Sequence, residues 1–139
     1  SQGHVAGDAV LQCTAAVLQM RMRAIDVFGR LGGEEFGVVL PGCGLNTARQ
    51  RAEDLREAIG SMDRAETSIP FDVSASFGVA CTSASGYDLR QLLIHADSAL
   101  YSAKRGGRNR VETYAVPAQV GAAAANPFSS GTPVRDANA

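Results

Sequence analysis

The sequence has almost no charge imbalance, too few cysteines for a covalent framework and no long apolar run. Thirteen Lys+Arg against fourteen Asp+Glu leave a formal net charge of -1 over 139 residues. No global basic field therefore draws in a nucleic acid polymer or an anionic membrane, and any anion site has to be built locally. The best candidate for an apolar span, AVLQCTAAVLQM, is broken by Gln12 and Gln19, whereas a bilayer asks for about 20 apolar residues. The sequence thus shows no membrane span, and no signal peptide is recognisable. Cys13, Cys43 and Cys81 are odd in number and far apart. They fit neither a disulfide framework nor zinc-site spacing and point to reduced thiols in a cytoplasmic chain. His4 and His95 stand alone, without ligand spacing, and read as surface or structural residues. No internal repeat is present.

What is present fits one domain with a real core. Val10, Thr14, Val17, Leu18 and Met22 recur at helical spacing and predict a helix from Asp8 to Met22, started at Gly7-Asp8. Val27 to Leu31 and Phe36 to Leu40 read as two strands of a hairpin joined by Gly32-Gly33-Glu34-Glu35. Leu45 to Met62 carries one apolar stripe of Ala48, Ala52, Leu55, Ile59 and Met62, with Asn46 or Thr47 as its cap. Ile69 to Thr82 alternates with period two and predicts one long half-buried strand. Asp88 to Lys104 is a third helix stopped by Gly106-Gly107, and Arg110 to Tyr114 a last short strand. From Ala115 to Ala139 the chain turns to Ala, Pro, Gly, Ser and Asn without periodicity and reads as a disordered tail. The expected class is α+β, with helices packed against a sheet.

Several clusters carry chemistry, each with a plainer reading beside it. In RLGGEEF, Arg30 to Phe36, glycines allow a backbone to approach a phosphate and paired carboxylates suit Mg²⁺; a solvated turn that keeps an edge soluble is the plainer account. In AKRGGRNR, Lys104 and Arg108 stand four apart and can hold phosphate, or simply complement the negative end of a helix. In RAID, Arg23 and Asp26 stand three apart and can share a face, where a plain surface ion pair is worth roughly 0–1 kcal/mol.

Taken together, these clusters resemble the GGDEF family, the diguanylate cyclases of bacterial signalling. The resemblance rests on RLGGEEF in its glutamate form, GHVAGDAVL before it, RAID upstream, VSASFGVA and ADSALYSAKRGGRNRV, and it covers about residues 3 to 114. It implies a nucleotide-cyclase-like sheet packed with helices. It also implies the condensation of two GTP into cyclic di-GMP with release of two pyrophosphates, carried out across a homodimer with Mg²⁺ or Mn²⁺. By similarity Gly32 and Gly33 lie along the triphosphate, Glu34 and Glu35 serve metal and catalysis, and Lys104 and Arg108 bind phosphate. Asp8 accepts from the guanine edge, and Arg23 and Asp26 form the inhibitory product site, RxxD. The second arginine of that site falls at Asp54 here, with Arg51 and Arg56 close in sequence.

One departure is larger. Family domains carry DxDxFK and an Asn-Asp pair ahead of Gly-His, and this chain begins Ser1-Gln2-Gly3-His4. The chain therefore reads as truncated at its N-terminus, a domain over 1–114 without its first central strand, one metal ligand and one base contact. The expectation is that it folds poorly alone, with open sheet edges, and makes little product. A non-catalytic GTP or cyclic di-GMP binding module of a larger signalling protein is the alternative reading, and a dimerisation piece a third.

Overall fold

The structure, a computed structural model, describes the backbone of residues 2–115 and 133–138 and the side chains of residues 6–115. The first helix, α1 (Gln2–Met20), buries Val10, Thr14 and Leu18 on one face, the face that four-residue spacing selects. It starts ahead of the expected Gly7-Asp8, because a glycine costs a helix interior only about 1 kcal/mol and does not by itself end it. A hairpin follows, β1 (Val27–Gly32) and β2 (Glu35–Val39), paired antiparallel from Val27 with Val39 to Gly32 with Glu35, with an irregularity between Arg30 and Gly32.

The second long helix, α2 (Leu45–Gly60), buries Ala48, Ala52, Leu55 and Ile59, the expected stripe. Its cap is Gly44, which offers no side chain, so neither Asn46 nor Thr47 has that role. A short helix, α3 (Arg64–Thr67), is capped by Asp63, whose carboxylate accepts the Ala65 N–H. The expected long strand is only β3 (Ala75–Val79). Pro70 precedes it, in a stretch where Phe71 is exposed and Arg64 pairs with Asp72; a proline has no N–H for a ladder. A one-turn helix, α4 (Thr82–Ser85), leads to α5 (Leu89–Arg105), capped by Asp88 through the Arg90 N–H, and then to β4 (Val111–Thr113).

β3 is buried on both faces, not one. Ala75, Phe77 and Val79 join Phe36, Val38 and Leu40 under Leu18 of α1 and the stripe of α2. On the opposite face α5 lies directly on the strand. A methyl group on Gly78 would run into the Ala96 carbonyl and the Leu100 amide of that helix. The polar-looking face of the alternation is covered by a helix rather than by water.

A fifth strand, β5 (Pro133–Asn138), corrects the expected disordered tail for these six residues; the rest of that expectation, 116–132 and Ala139, lies outside the described residues. The sheet order is β1-β2-β5-β3-β4. β5 runs antiparallel to both neighbours, pairing Ala137 with Glu35 and Ser76, and Asp136 with Phe36 and Phe77. The interior edges expected to stand open are therefore paired. Hydrogen-bond demand explains the placement, since each unpaired backbone group inside a sheet costs about as much as a lost hydrogen bond. Its residues do not advertise a strand, because Pro, Asp and Asn are poor strand formers. Pro133 sits at the strand's first position, where its missing N–H is tolerated.

One substitution and one truncation test this arrangement. Gly78→Ala forces α5 off the sheet and is expected to destabilise by about 1–3 kcal/mol, read as a lower melting temperature; an unchanged melt means α5 does not rest there. Ending the chain at Tyr114 removes β5 and is expected to lower the melt further and promote aggregation through the opened edges of β2 and β3.

Candidate active site and arginine cluster

The turn between β1 and β2 is Gly33-Glu34, and its backbone explains the glycines. Gly32 has φ 149° and Gly33 φ 52°, values that side chains resist. A Cβ at either glycine would meet nothing within 4 Å. The backbone is therefore bare on that side, as the close approach of a phosphate requires. The Arg30 Nε donates to the Gly33 carbonyl at 2.8 Å and braces the turn. Glu34 is exposed at the tip, and Glu35 is half-buried where β2 begins.

The strand register brings the second cluster to the same end of the sheet. Phe36, Asp136, Phe77 and Val111 form one row across β2, β5, β3 and β4, three strand spacings or about 14 Å wide. One row further out stand Glu35, Ala137 and Ser76. There the buried Ser76 hydroxyl accepts the Asn109 N–H at 3.1 Å. The loop that follows Lys104 is thereby tied beside the row that carries Glu35. Arg108 and Asn109 hold the loop in left-handed backbone, with φ 63° and 46°. The Arg56 Nη1 of α2 donates to Asn109 Oδ1 at 3.0 Å, and Arg110 Nε to the Arg108 carbonyl at 3.2 Å. Lys104 is half-buried in the last turn of α5, and Arg108 is exposed. Asp8 is not brought to the turn by any strand pairing. It is exposed on α1, about 18 Å along the helix axis from Met20.

Arg23 and Asp26 lie at the other end of the hairpin, beyond the Val27–Val39 pair, about 14 Å of strand from Glu35. The Asp26 side chain is fully buried and saturated. Its Oδ1 accepts from Arg23 Nε at 3.0 Å and Nη2 at 2.7 Å, and its Oδ2 from the Arg23 amide at 2.7 Å and from Arg51 Nη2 at 2.8 Å. Arg23 also donates to the Pro41 carbonyl at 2.6 Å, and Arg51 to the Arg21 carbonyl at 3.1 Å. Burial by itself raises the Asp26 pKa. The hydrogen bonds from Arg23 and Arg51 and the charge of Arg51 outweigh it and hold the carboxyl well below the usual carboxylate range. A carboxylate so enclosed organises two arginines and presents no face to a ligand.

The residues that sequence reasoning missed are supports. The period-two alternation of 69–82 puts Ser76 on the face away from Phe77, yet its buried hydroxyl anchors a loop; nothing in an alternating strand reveals a helix on the second face. Arg51 was noted only as a neighbour of Asp54. Its place seven residues into α2, on the turn before Leu55, was the available signal.

Two carboxylates at the turn fit a divalent cation in a limited sense. Among the described residues no group of three or more His, Cys, Asp or Glu is placed to hold a metal alone. Mg²⁺, however, commonly takes one or two carboxylates and completes its shell with substrate phosphates and water.

Asp26 predicts a pH dependence. Because its folded pKa is depressed, the stabilisation is complete above the unfolded value, near 3.9, and is lost as the pH falls through the folded value. Asp26→Asn is expected to melt lower than the parent at pH 7, and the gap to narrow below about pH 4. A gap independent of pH in thermal melts from pH 7 to pH 2 rejects the ion-pair account.

Comparison with known proteins agrees with these motifs. The family model described as "Diguanylate cyclase, GGDEF domain" matches residues 1–110. Diguanylate cyclase DgcP of Pseudomonas aeruginosa is 41% identical over 111 residues, covering 79% of this chain and 16% of that protein. Among solved structures, the active GGEEF domain of a diguanylate cyclase from Vibrio cholerae superposes with a TM-score of 0.72 at 31% identity, covering 82% of this chain and 72% of that one. The GGDEF domain of DgcB from Caulobacter crescentus, solved in complex with c-di-GMP, gives 0.72 at 30% identity, covering 81% of this chain and 67% of that one. The chain spans 10% to 33% of the length of the curated relatives compared. No described helix is long and apolar enough to cross a membrane. With its RLGGEEF turn, its Lys104–Arg110 loop and a family model matching most of its length, the chain belongs to the GGDEF family.

Proposed function

We propose that this chain is the nucleotide-joining domain of a diguanylate cyclase, condensing two GTP into cyclic di-GMP. The observation that carries the reading is the shared sheet end: a bare glycine turn bearing Glu34 and Glu35, and the end of α5 with its following loop bearing Lys104 and Arg108, joined by one row of strand pairing. A triphosphate laid along Gly32 and Gly33 meets little steric resistance, and Lys104 and Arg108 offset its charge. Glu34, exposed at the tip, is placed to take the proton of an attacking 3′-hydroxyl. The 3′-oxygen then bonds to the α-phosphorus of the second nucleotide, the bond to the β-phosphate breaks, and pyrophosphate leaves. Glu34 and Glu35 would hold Mg²⁺ or Mn²⁺, which would supply charge neutralisation at the phosphoryl group.

Each nucleotide is both attacker and target, so two copies of the domain face each other and catalysis depends on a homodimer that positions the two substrates. Asp8 serves as a guanine-edge acceptor on the strength of the resemblance. The three cysteines, none in a disulfide and two of them buried, suit the reducing cytoplasm in which GTP is supplied.

The test grafts a DxDxFK strand ahead of Ser1 and measures cyclic di-GMP and pyrophosphate formed from GTP with Mg²⁺. Turnover is expected, with Glu34→Ala lowering it about 100-fold while melting stays unchanged. Turnover that survives Glu34→Ala removes Glu34 from the mechanism. GTP binding without any product favours the non-catalytic binding module.

A further inference from the structure

The ends of α1 and α2 meet at an apolar recess of about 410 Å³, lined by Val17 and Met20 of α1, Ala58 of α2 and Met62 just after it. Met20 is 86% exposed there. Methionine adapts to partners of varied shape, because its unbranched thioether chain repacks readily. A second recess of about 270 Å³ adjoins the first and shares Arg21, Ala58 and Ser61 with it. Four carboxylates stand around this groove, Asp54 and Glu57 on α2 and Asp63 and Glu66 at α3. All four are exposed, and among the described residues none is in an ion pair. Asp63 and Glu66 have local roles at the start of α3, and Asp54 accepts from Gln50. Glu57 stands in the last turn of α2, at the negative end of the helix dipole, where a carboxylate is opposed and a cation favoured. Neither α1 nor α2 has a basic residue in its last turn. Arg21 is the one base lining these two recesses, which leaves the groove strongly negative.

We infer that this groove docks a cationic amphipathic helix of another polypeptide. Its apolar residues, spaced three and four apart, lie against Val17, Met20 and Met62, and its Lys or Arg side chains lie beside Asp54 and Glu57. The surroundings select this occupant. A second copy presenting the same face would set like charges against each other, and an anionic lipid surface is repelled for the same reason. An extended peptide finds no strand edge here, since both recesses are lined by helices and the residues that follow them, and its backbone groups would go unpaired. A helix satisfies its own backbone and needs only an apolar stripe and matching charge. Arg21 stands two residues before Arg23, at the far end of the hairpin from the glycine turn, so the docked helix lies away from Glu34 and Glu35. The inference therefore does not depend on the proposed reaction.

The test titrates the chain into a labelled Leu/Lys peptide of about 14 residues, roughly four helical turns with one apolar face, and reads fluorescence anisotropy. A Leu/Glu peptide of the same pattern and a scrambled Leu/Lys peptide are the controls. The patterned Leu/Lys peptide is expected to bind, more weakly as salt rises from about 50 to about 500 mM, and the two controls to bind poorly. Met20→Ser is expected to weaken binding about tenfold through lost apolar contact, and Glu57→Lys about tenfold through charge reversal. Tyr101→Ser, at an exposed residue of α5 outside the groove, is expected to leave binding unchanged. Met20 and Glu57 are exposed, so both variants are expected to melt as the parent does; if either melts lower, the milder Met20→Ala or Glu57→Gln decides. The inference falls if the patterned Leu/Lys peptide does not bind, or if the Leu/Glu or scrambled peptide binds equally well. It falls too if binding survives the changes at Met20 and Glu57, because the peptide then sits elsewhere. Self-association of the chain that Met20→Ser abolishes, seen by sedimentation, gives the groove to a second copy and overturns the inference as well.

Discussion

The row of backbone pairing that runs from Glu35 through Ala137 to Ser76 is the constraint on which the site depends. Glu35 opens the strand leaving the glycine turn, and Ser76 holds the Asn109 amide of the cationic loop. Neither cluster has to find the other by side-chain contact, because hydrogen-bond register fixes their relative height on the sheet. A slip of one residue anywhere along that row would turn core residues such as Phe36 and Phe77 outward, so the hydrophobic core enforces the geometry of the polar end. The packing of α5 against Gly78 adds a second lock, since the same helix carries Lys104 at its end.

The long elements were legible because each has an unambiguous period. The stripe of α2, the Asp88 start of α5 and the GGEE hairpin all stand where the pattern places them. Boundaries were less legible where a single residue overrides a pattern, as Pro70 does ahead of β3. The double burial of β3 was not legible, because a sequence shows alternation and not what covers the second face. β5 was hidden for a related reason: its residues are chosen by a vacancy in the sheet, not by strand propensity. At the site, residue types at the right spacing were visible, whereas the residues that hold them in place, Arg30, Ser76 and Arg51, become visible only through their partners.

The two ends of the hairpin carry opposite designs. At the turn, charges are exposed and the backbone is bare, which suits a substrate that comes and goes. At the Arg23–Asp26–Arg51 cluster the carboxylate is enclosed and fully bonded, so its interactions are screened little by salt. The first end is open to solvent, and the second holds a fixed charge pattern. α2 touches the enclosed cluster through Arg51 and the loop after α5 through Arg56.

The placement of β5 also sets an order in time. The hairpin of β1 and β2 closes between near neighbours in sequence, but the strand that joins β2 to β3 lies C-terminal to both of them. Its partner Glu35 precedes it by roughly 100 residues, the kind of separation that slows folding because loop closure comes before any reward. Until β5 pairs, β2 and β3 do not share a sheet, and the row that aligns the glycine turn with the Asn109 loop does not exist. The common frame of the two clusters therefore waits on the longest loop closure in the sheet.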